Sequence, residues 1–160
     1  MGAMVDTQLW VLAKKRPSPH LFSTSEKYEE ALRAHEMARR FFAEEFPRLR
    51  VYMSLHQLAE LYHALAFRGA RVPAKEAAMI VEEIVKSPAV IKVPVTLAHY
   101  REAVVESTRT GIHVWDYLCF IPVKGFIDTV YSTDPHFERI CRELNVKLVN
   151  PTGYWSEHSP

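Results

Sequence analysis

Four acidic residues, Asp6, Glu60, Asp116 and Asp134, are the side chains of this sequence whose types and placing point to shared chemistry. They lie far apart along the chain, yet each falls where a β-rich run ends or on a helical stretch beside such an end. Brought into one cleft, four carboxylates repel one another and raise each other's pKa values unless something positive stands between them. A divalent cation that prefers hard oxygen ligands meets that need, and Mg²⁺ or Mn²⁺ suits such donors. The chemistry this predicts is metal-assisted hydrolysis of a phosphodiester, the work of a nuclease.

Each acid also has an ordinary reading. Asp134 precedes Pro135, which is common helix punctuation, though one carboxylate oxygen can cap while the other binds. Glu60 neighbours Leu61 and Ala64 on a helix expected to bury Leu55, Leu58, Tyr62 and Leu65, with a solvated face as the alternative. His56 and His63 stand four residues before it and three after, a spacing that could hold zinc. Neither a His-Glu-x-x-His motif nor a third ligand nearby accompanies them. Asp116 sits among Val114, Trp115, Tyr117, Leu118 and Phe120, where a carboxylate without a partner faces a large desolvation cost. A first-turn helix position offsets part of it. His113, one turn earlier, is expected to cap that helix or enter the core, with a place facing the same cleft as the alternative. Asp6 closes an apolar run and is hard to explain as surface filler. Asp128 is the rival acid, read as structural or ion-paired.

Strand and helix signals alternate along the chain. Gly2–Val5 is a first strand, followed by a short helix over 8–13 and a Lys14-Lys15-Arg16 run into Pro17 and Pro19. Ser23 with Glu26 reads as a capping box. It opens a helix over 25–45 with Tyr28, Leu32, His35, Arg39 and Phe42 at helical spacing, closed by Phe46-Pro47. Residues 50–53 form a second strand, and Ser54 with Gln57 caps a helix over Leu55–Phe67 that Gly69 ends. Pro73 suits the first turn of a helix through Lys86. A third strand over 90–95 is confined by Pro94 to its end or an edge. Thr96 then caps a helix to Arg109, with Gly111 as its stop. A short helix over 114–121, a strand over 126–131, a helix from Asp134-Pro135 to Leu144 and a strand over 146–149 complete the pattern. Strands alternating with helices, without tight hairpin signals, predict an α/β fold: a three-layer α/β/α sandwich around a mainly parallel sheet of four to five strands. Ligands of such sheets bind beyond the carboxyl ends of the strands, where the four acids fall.

At 160 residues and 48% apolar the chain supports one core, expected as a single domain over 1–150 with a polar, loose tail over 151–160. No apolar run approaches the ~20 residues that span a bilayer, and no signal-peptide pattern opens the chain. The expectation is a cytoplasmic protein with no membrane contact. Met1–Ala3 reads in part as a cloning remnant, since Met4 would also serve as a start. Cys119 and Cys141 lie in apolar helical patterns and look like small core hydrophobes of a reducing compartment. A net charge of +1 gives no global basic field. Of the basic clusters, only Lys14, Lys15 and Arg16 stand close enough to Asp6 to steer a phosphate. Sparse Asn, Gln and Gly with ten Pro lean toward a thermophile. Walker, dinucleotide-binding and nucleophile-elbow motifs are absent, and the aromatic residues follow core periodicity, not a base-stacking platform.

Val5-Asp6-Thr7 after a short apolar start, Glu60 in the helix after the second strand, Trp115-Asp116-Tyr117-Leu118 and Tyr131-Ser132-Thr133-Asp134-Pro135-His136-Phe137 together resemble a PIN domain. The resemblance spans about residues 5–149 and rests on order and spacing more than on any one motif. It implies an endoribonuclease dependent on Mg²⁺ or Mn²⁺, with Asp6, Glu60, Asp116 and Asp134 as catalytic metal ligands. Ser132 and Thr7 are then the hydroxyls that orient carboxylates. It further implies a VapC-type toxin, a homodimer that cuts RNA and is silenced by a small antitoxin protein. Gln8 departs from the pattern, standing where Asn or another small polar residue is frequent, and the helix over 25–45 looks expanded. Two alternatives stay open: a PIN nuclease that matures RNA, and a module that binds RNA or protein without cutting. The second need not have kept four acids.

Overall fold

The computed structural model of the chain describes residues 1–156. Five short strands carry near-continuous apolar character, as strands covered on both faces require. They are β1 (Gly2–Val5), β2 (Val51–Ser54), β3 (Val90–Val93), β4 (Ile127–Tyr131) and β5 (Lys147–Val149). All pair in parallel, in the order β3-β2-β1-β4-β5. Helices make every crossing: α1 (Thr7–Lys14) and α2 (Ser25–Glu44) after β1, then α3 (Leu55–Phe67) and α4 (Ala74–Lys86) after β2. After β3 come α5 (Leu97–Thr110) and α6 (Val114–Phe120), and after β4 comes α7 (His136–Glu143). Successive side chains of a strand point to opposite faces. Met4 accordingly packs with Ala103, Tyr117, Phe120, Phe137 and Ile140 beneath α5, α6 and α7. Val5 packs with Leu9, Phe41, Leu58, Leu61 and Ala77 beneath α1 to α4. The expected three-layer sandwich is therefore the fold, with its sheet wholly parallel.

Local details depart from expectation for identifiable reasons. The cap of α2 is Thr24, whose hydroxyl accepts from Lys27 N at 3.2 Å, and not Ser23. A capping hydroxyl reaches an N–H two or three residues on, and Thr24 has the right offset for a helix starting at Ser25. The buried face of α2 is Ala34, His35, Ala38 and Phe41, turned away from the anticipated Arg39. Small alanines there leave room for α1, and the His35 ring N–H donates to Leu12 O at 2.5 Å. Ser54 caps α3 as expected, accepting from Gln57 N at 3.2 Å. Gln57 does not return the bond, because its amide donates instead to Val5 O at 2.6 Å and ties α3 to the end of β1. Leu55, in the first turn, is exposed, and Leu58, Leu61 and Leu65 form the buried stripe. β3 ends at Val93 because Pro94 has no N–H to extend the ladder.

Both chain ends are anchored, the first as the strand reading of Gly2–Val5 expects and the second against the expectation of a loose tail. Gly2 and Ala3, read as a remnant, form half of β1 and donate to Phe126 O at 2.9 Å and Arg50 O at 2.8 Å. Beyond β5 the chain turns back. Asn150 Nδ2 donates to Tyr154 O at 2.7 Å, and Ser156 N donates to Thr133 O at 2.8 Å. The rest of the expected tail, 157–160, lies outside the described residues. No described helix is long and apolar enough to cross a membrane.

Candidate metal centre

β1 and β4 are neighbours whose connections leave in opposite directions across the sheet, so their carboxyl ends open a crevice between them. Asp6 is the first residue beyond β1 and caps α1, its Oδ1 accepting from Thr7 N at 2.8 Å. Ser132 is the first residue beyond β4. Its hydroxyl donates to Asp6 Oδ2 at 2.8 Å and accepts from Asp134 N at 2.9 Å. One buried hydroxyl thus fixes the acids of two adjacent strands. Asp134 in turn holds the start of α7, its Oδ1 accepting from His136 N at 2.8 Å.

Glu60 and Asp116 arrive from helices on opposite faces, and α3 and α6 meet over the carboxyl edge of the sheet. The Cys119 thiol of α6 donates to Glu60 Oε2 at 3.0 Å, and the Thr7 hydroxyl donates to the same oxygen at 2.7 Å. Asp116, in the first turn of α6, has its Oδ2 at 2.9 Å from His136 Nδ1, which stands 3.8 Å from Asp134 Oδ1. All four acids line one cleft of about 420 Å³, together with Thr7, Gln8, Arg68, His113, Trp115, His136 and Ser156.

The acids act on one another as charges. Burial drives the Asp6 carboxyl well above its usual 3.8; repulsion from Asp116, Asp134 and Glu60 adds to this, and the Ser132 hydrogen bond opposes it. Asp116 is pushed up to about 8, by burial first and then by Asp134 and Glu60. The Cys119 thiol is raised by burial and then by Glu60. Such a set holds protons, or a cation in their place. Asp116, Asp134 and His136 each offer a donor atom within 4.8 Å of the other two, a span one ion can bridge. The carboxylates of the cleft are the hard oxygen donors that suit Mg²⁺ or Mn²⁺.

The basic run takes a different place from the one anticipated. Lys15 Nζ donates to Ala64 O and Arg68 O, at 2.6 Å each, closing the C-terminal end of α3 where a cation is favoured. Lys14 lines a separate shallow pocket with Arg39 and Phe42. The cation that lines the acidic cleft is Arg68. His113, expected as a cap or core residue, makes no side-chain cap bond and faces the cleft, its ring centroid 5.5 Å from that of His136. Asp128 is exposed on β4 and takes the Thr129 hydroxyl at 2.9 Å, which makes it a strand-surface residue and not an ion-paired one. His63 stacks on Phe67 and His56 on Trp115, and of the two it is His56 that stands with Glu60 in a group of possible metal donors among the described residues. Sequence reasoning gave no part to His136 or Arg68 and took Cys119 for a core hydrophobe. The offsets were informative: His113 and Cys119 stand three residues either side of Asp116, a spacing that shares a helix face, and His136 is two beyond Asp134.

The strand order, the covering helices and the acidic crevice at the β1–β4 junction define a PIN-like α/β/α fold. No protein-family model matches the chain, and no curated protein matches it. Solved structures do. VapC20 of Mycobacterium tuberculosis, described as a sarcin-ricin loop cleaving toxin, superposes with a TM-score of 0.65 over 86% of this chain and 94% of its own, at 22% identity. FitAB, in a structure bound to an IR36 DNA fragment, gives a TM-score of 0.51 over 98% of this chain and 99% of its own, at 16% identity. At those identities the likeness is one of fold.

Proposed function

We propose that the chain is a divalent-metal-dependent endoribonuclease and the toxin of a VapBC-like toxin–antitoxin pair. The observation that carries this reading is the meeting of Asp6, Glu60, Asp116 and Asp134 in one cleft, from two strand ends and two opposed helices. Asp6, Asp116 and Asp134, with Glu60, would hold the ion, which when bound would supply a Lewis acid for the scissile phosphate and neutralise charge developing on its oxygens. The protein's own groups do the positioning. Ser132 orients Asp6, while Thr7 and Cys119 fix the same oxygen of Glu60. Arg68 draws the RNA backbone toward the cleft. His136, against Asp116, is placed to hold or pass a proton at the cleft wall. We further propose a homodimer in a reducing cytoplasm, silenced by a small antitoxin.

The test is cleavage of structured RNAs with Mn²⁺, with and without EDTA, beginning with a ribosomal stem-loop because VapC20 cuts the sarcin-ricin loop. Cleavage should need the ion and should be lost in Asp6→Asn and Asp116→Asn variants that remain folded. Cleavage unchanged by both substitutions refutes the assignment. Binding of RNA without any cutting would favour a silent PIN module instead.

A further inference from the structure

The acidic cleft shares a wall with a second, shallower pocket. Glu60, Arg68 and Trp115 line both, and His56, Ala59 and His63 complete the second. Behind this boundary, where Cys119 lines neither pocket, a ring nitrogen of His56, a carboxylate oxygen of Glu60 and the sulfur of Cys119 lie within 4.8 Å of one another. All three are held in place. His56 stacks on Trp115 with ring centroids 5.4 Å apart and planes 6° from parallel. Cys119 is buried in α6, and Glu60 is fixed by the Cys119 thiol at 3.0 Å and the Thr7 hydroxyl at 2.7 Å.

An independent observation points to a ligand. His56 Nε2 is shut off from solvent and has no hydrogen-bond partner among the described residues. A buried polar nitrogen left without a partner is unfavourable, because it has lost its water and gained nothing in return. One on an imidazole standing beside a thiol and a carboxylate marks a place for a further atom. The donor set says which. Nitrogen, oxygen and sulfur together are foreign to Mg²⁺, which keeps to oxygen, and are the ligands of zinc, which takes Cys, His and carboxylate with a fourth position left open.

We propose that His56, Glu60 and Cys119 form a binding site for a thiophilic divalent cation of the zinc class, adjoining the acidic centre and sharing Glu60 with it. Binding releases the thiol proton to solvent and leaves a thiolate and a carboxylate on the cation. It also draws Glu60 away from the acidic set, so zinc competes with the hard cation there. That last consequence rests on the nuclease reading, whereas the site itself does not.

Cobalt(II) takes the same ligands as zinc and reports thiolate ligation through a near-ultraviolet charge-transfer band, so the full chain is titrated with Co²⁺ and then with Zn²⁺, in the absence of RNA. The band should appear in the wild type and in Cys141→Ser, vanish in Cys119→Ser, and be displaced by Zn²⁺. Because Cys119→Ser alters a buried position, His56→Gln is the second variant. It should weaken Co²⁺ uptake by at least about tenfold while its Mn²⁺ uptake matches the wild type. A wild type without the thiolate band overturns the proposal, as does a band that follows Cys141. So does His56→Gln taking up Co²⁺ unchanged, or losing Co²⁺ and Mn²⁺ together. If RNA is never cut but the band behaves as stated, the site stands and the nuclease reading falls. If Mn²⁺-dependent cleavage ignores stoichiometric zinc, the competition for Glu60 is overturned.

Discussion

Asp116→Asn should make the metal-free protein more stable at pH 8 and at the same time abolish its response to Mn²⁺. The Asp116 carboxyl is pushed up to about 8 in the folded chain against 3.8 ordinarily. Between those values the folded protein keeps a proton that the unfolded chain has released, so unfolding free energy falls as pH rises through that window. The stabilisation is complete below about pH 4 and gone by about pH 8. A gap of roughly four pKa units, at about 1.4 kcal/mol each, sets a ceiling of about 6 kcal/mol. The 2.9 Å contact of His136 Nδ1 with Asp116 Oδ2 offsets part of this, and since a hydrogen bond to a charged group contributes up to about 3 kcal/mol, the expected loss is about 3 kcal/mol. An Asn at 116 does not titrate. In EDTA, melting curves from pH 5 to 8 should therefore fall less steeply for the variant, which should melt roughly 6–12 °C above the wild type at pH 8. Adding Mn²⁺ at about a hundred times its Kd should return about 2.7 kcal/mol to the wild type and little to the variant. A variant no more stable than the wild type in EDTA at pH 8, or one that gains as much from Mn²⁺, would refute the reasoning.

Four further outcomes can be checked separately. Ser132→Ala leaves Asp6 Oδ2 and the Asp134 N–H without their shared partner, so Mn²⁺ affinity measured by titration calorimetry should drop about 10–100-fold. Its uptake should also shift to higher pH, because the bond that opposes protonation of Asp6 is lost. Lys15→Met should lower stability by about 1–2 kcal/mol, read from the denaturant midpoint, yet leave RNA cleavage intact. Normal stability with poor cleavage would return Lys15 to the substrate. Arg68→Gln should weaken RNA binding and reduce the slope of log affinity against log salt by about 0.7, measured by fluorescence anisotropy. Gly2→Ala should destabilise by about 1–3 kcal/mol, because the added methyl would overlap the Tyr52 ring, itself stacked on Phe126.

Much of the fold was legible because its signals are local. A hydroxyl at Ser54 or Thr96 ahead of an apolar helical stripe, Gly111 in the left-handed conformation after α5, and β-rich runs between them mark elements that form as anticipated. Strand order was not local information. It places β1 in the middle of the sheet, and only that placement brings Asp6 beside Ser132, 126 residues away. The four acids are legible because a carboxylate just past a strand, as at Asp6 and Asp134, or among apolar residues of a helix, as at Glu60 and Asp116, is costly to explain otherwise. Their partners were missed where a residue has a satisfactory ordinary role. Cys119 in an apolar helix needs no function until Glu60 comes over from the other side of the sheet. His113 at a helix start suggests a cap until His136 stands opposite. The placing of Lys15 has the same root: proximity in sequence to Asp6 said nothing about the carbonyls at the end of α3, which lie 49 and 53 residues on.

The same geometry explains why this crevice, and no other place on the sheet, collects the acids. At the junction of β1 and β4 the two connections part, so backbone N–H groups of α1 and of the turn into α7 point at the gap without a chain lying across it. Thr7 N and His136 N hold Asp6 and Asp134 there by Oδ1 of each, and the Ser132 hydroxyl holds Oδ2 of Asp6. Glu60 and Asp116 are then brought in by helices that the hydrophobic core holds on opposite faces. The core thus forces together charges that would separate if the side chains were free. It can hold them only with protons or a cation between them, and both compete for Asp116, whose carboxyl is pushed up to about 8.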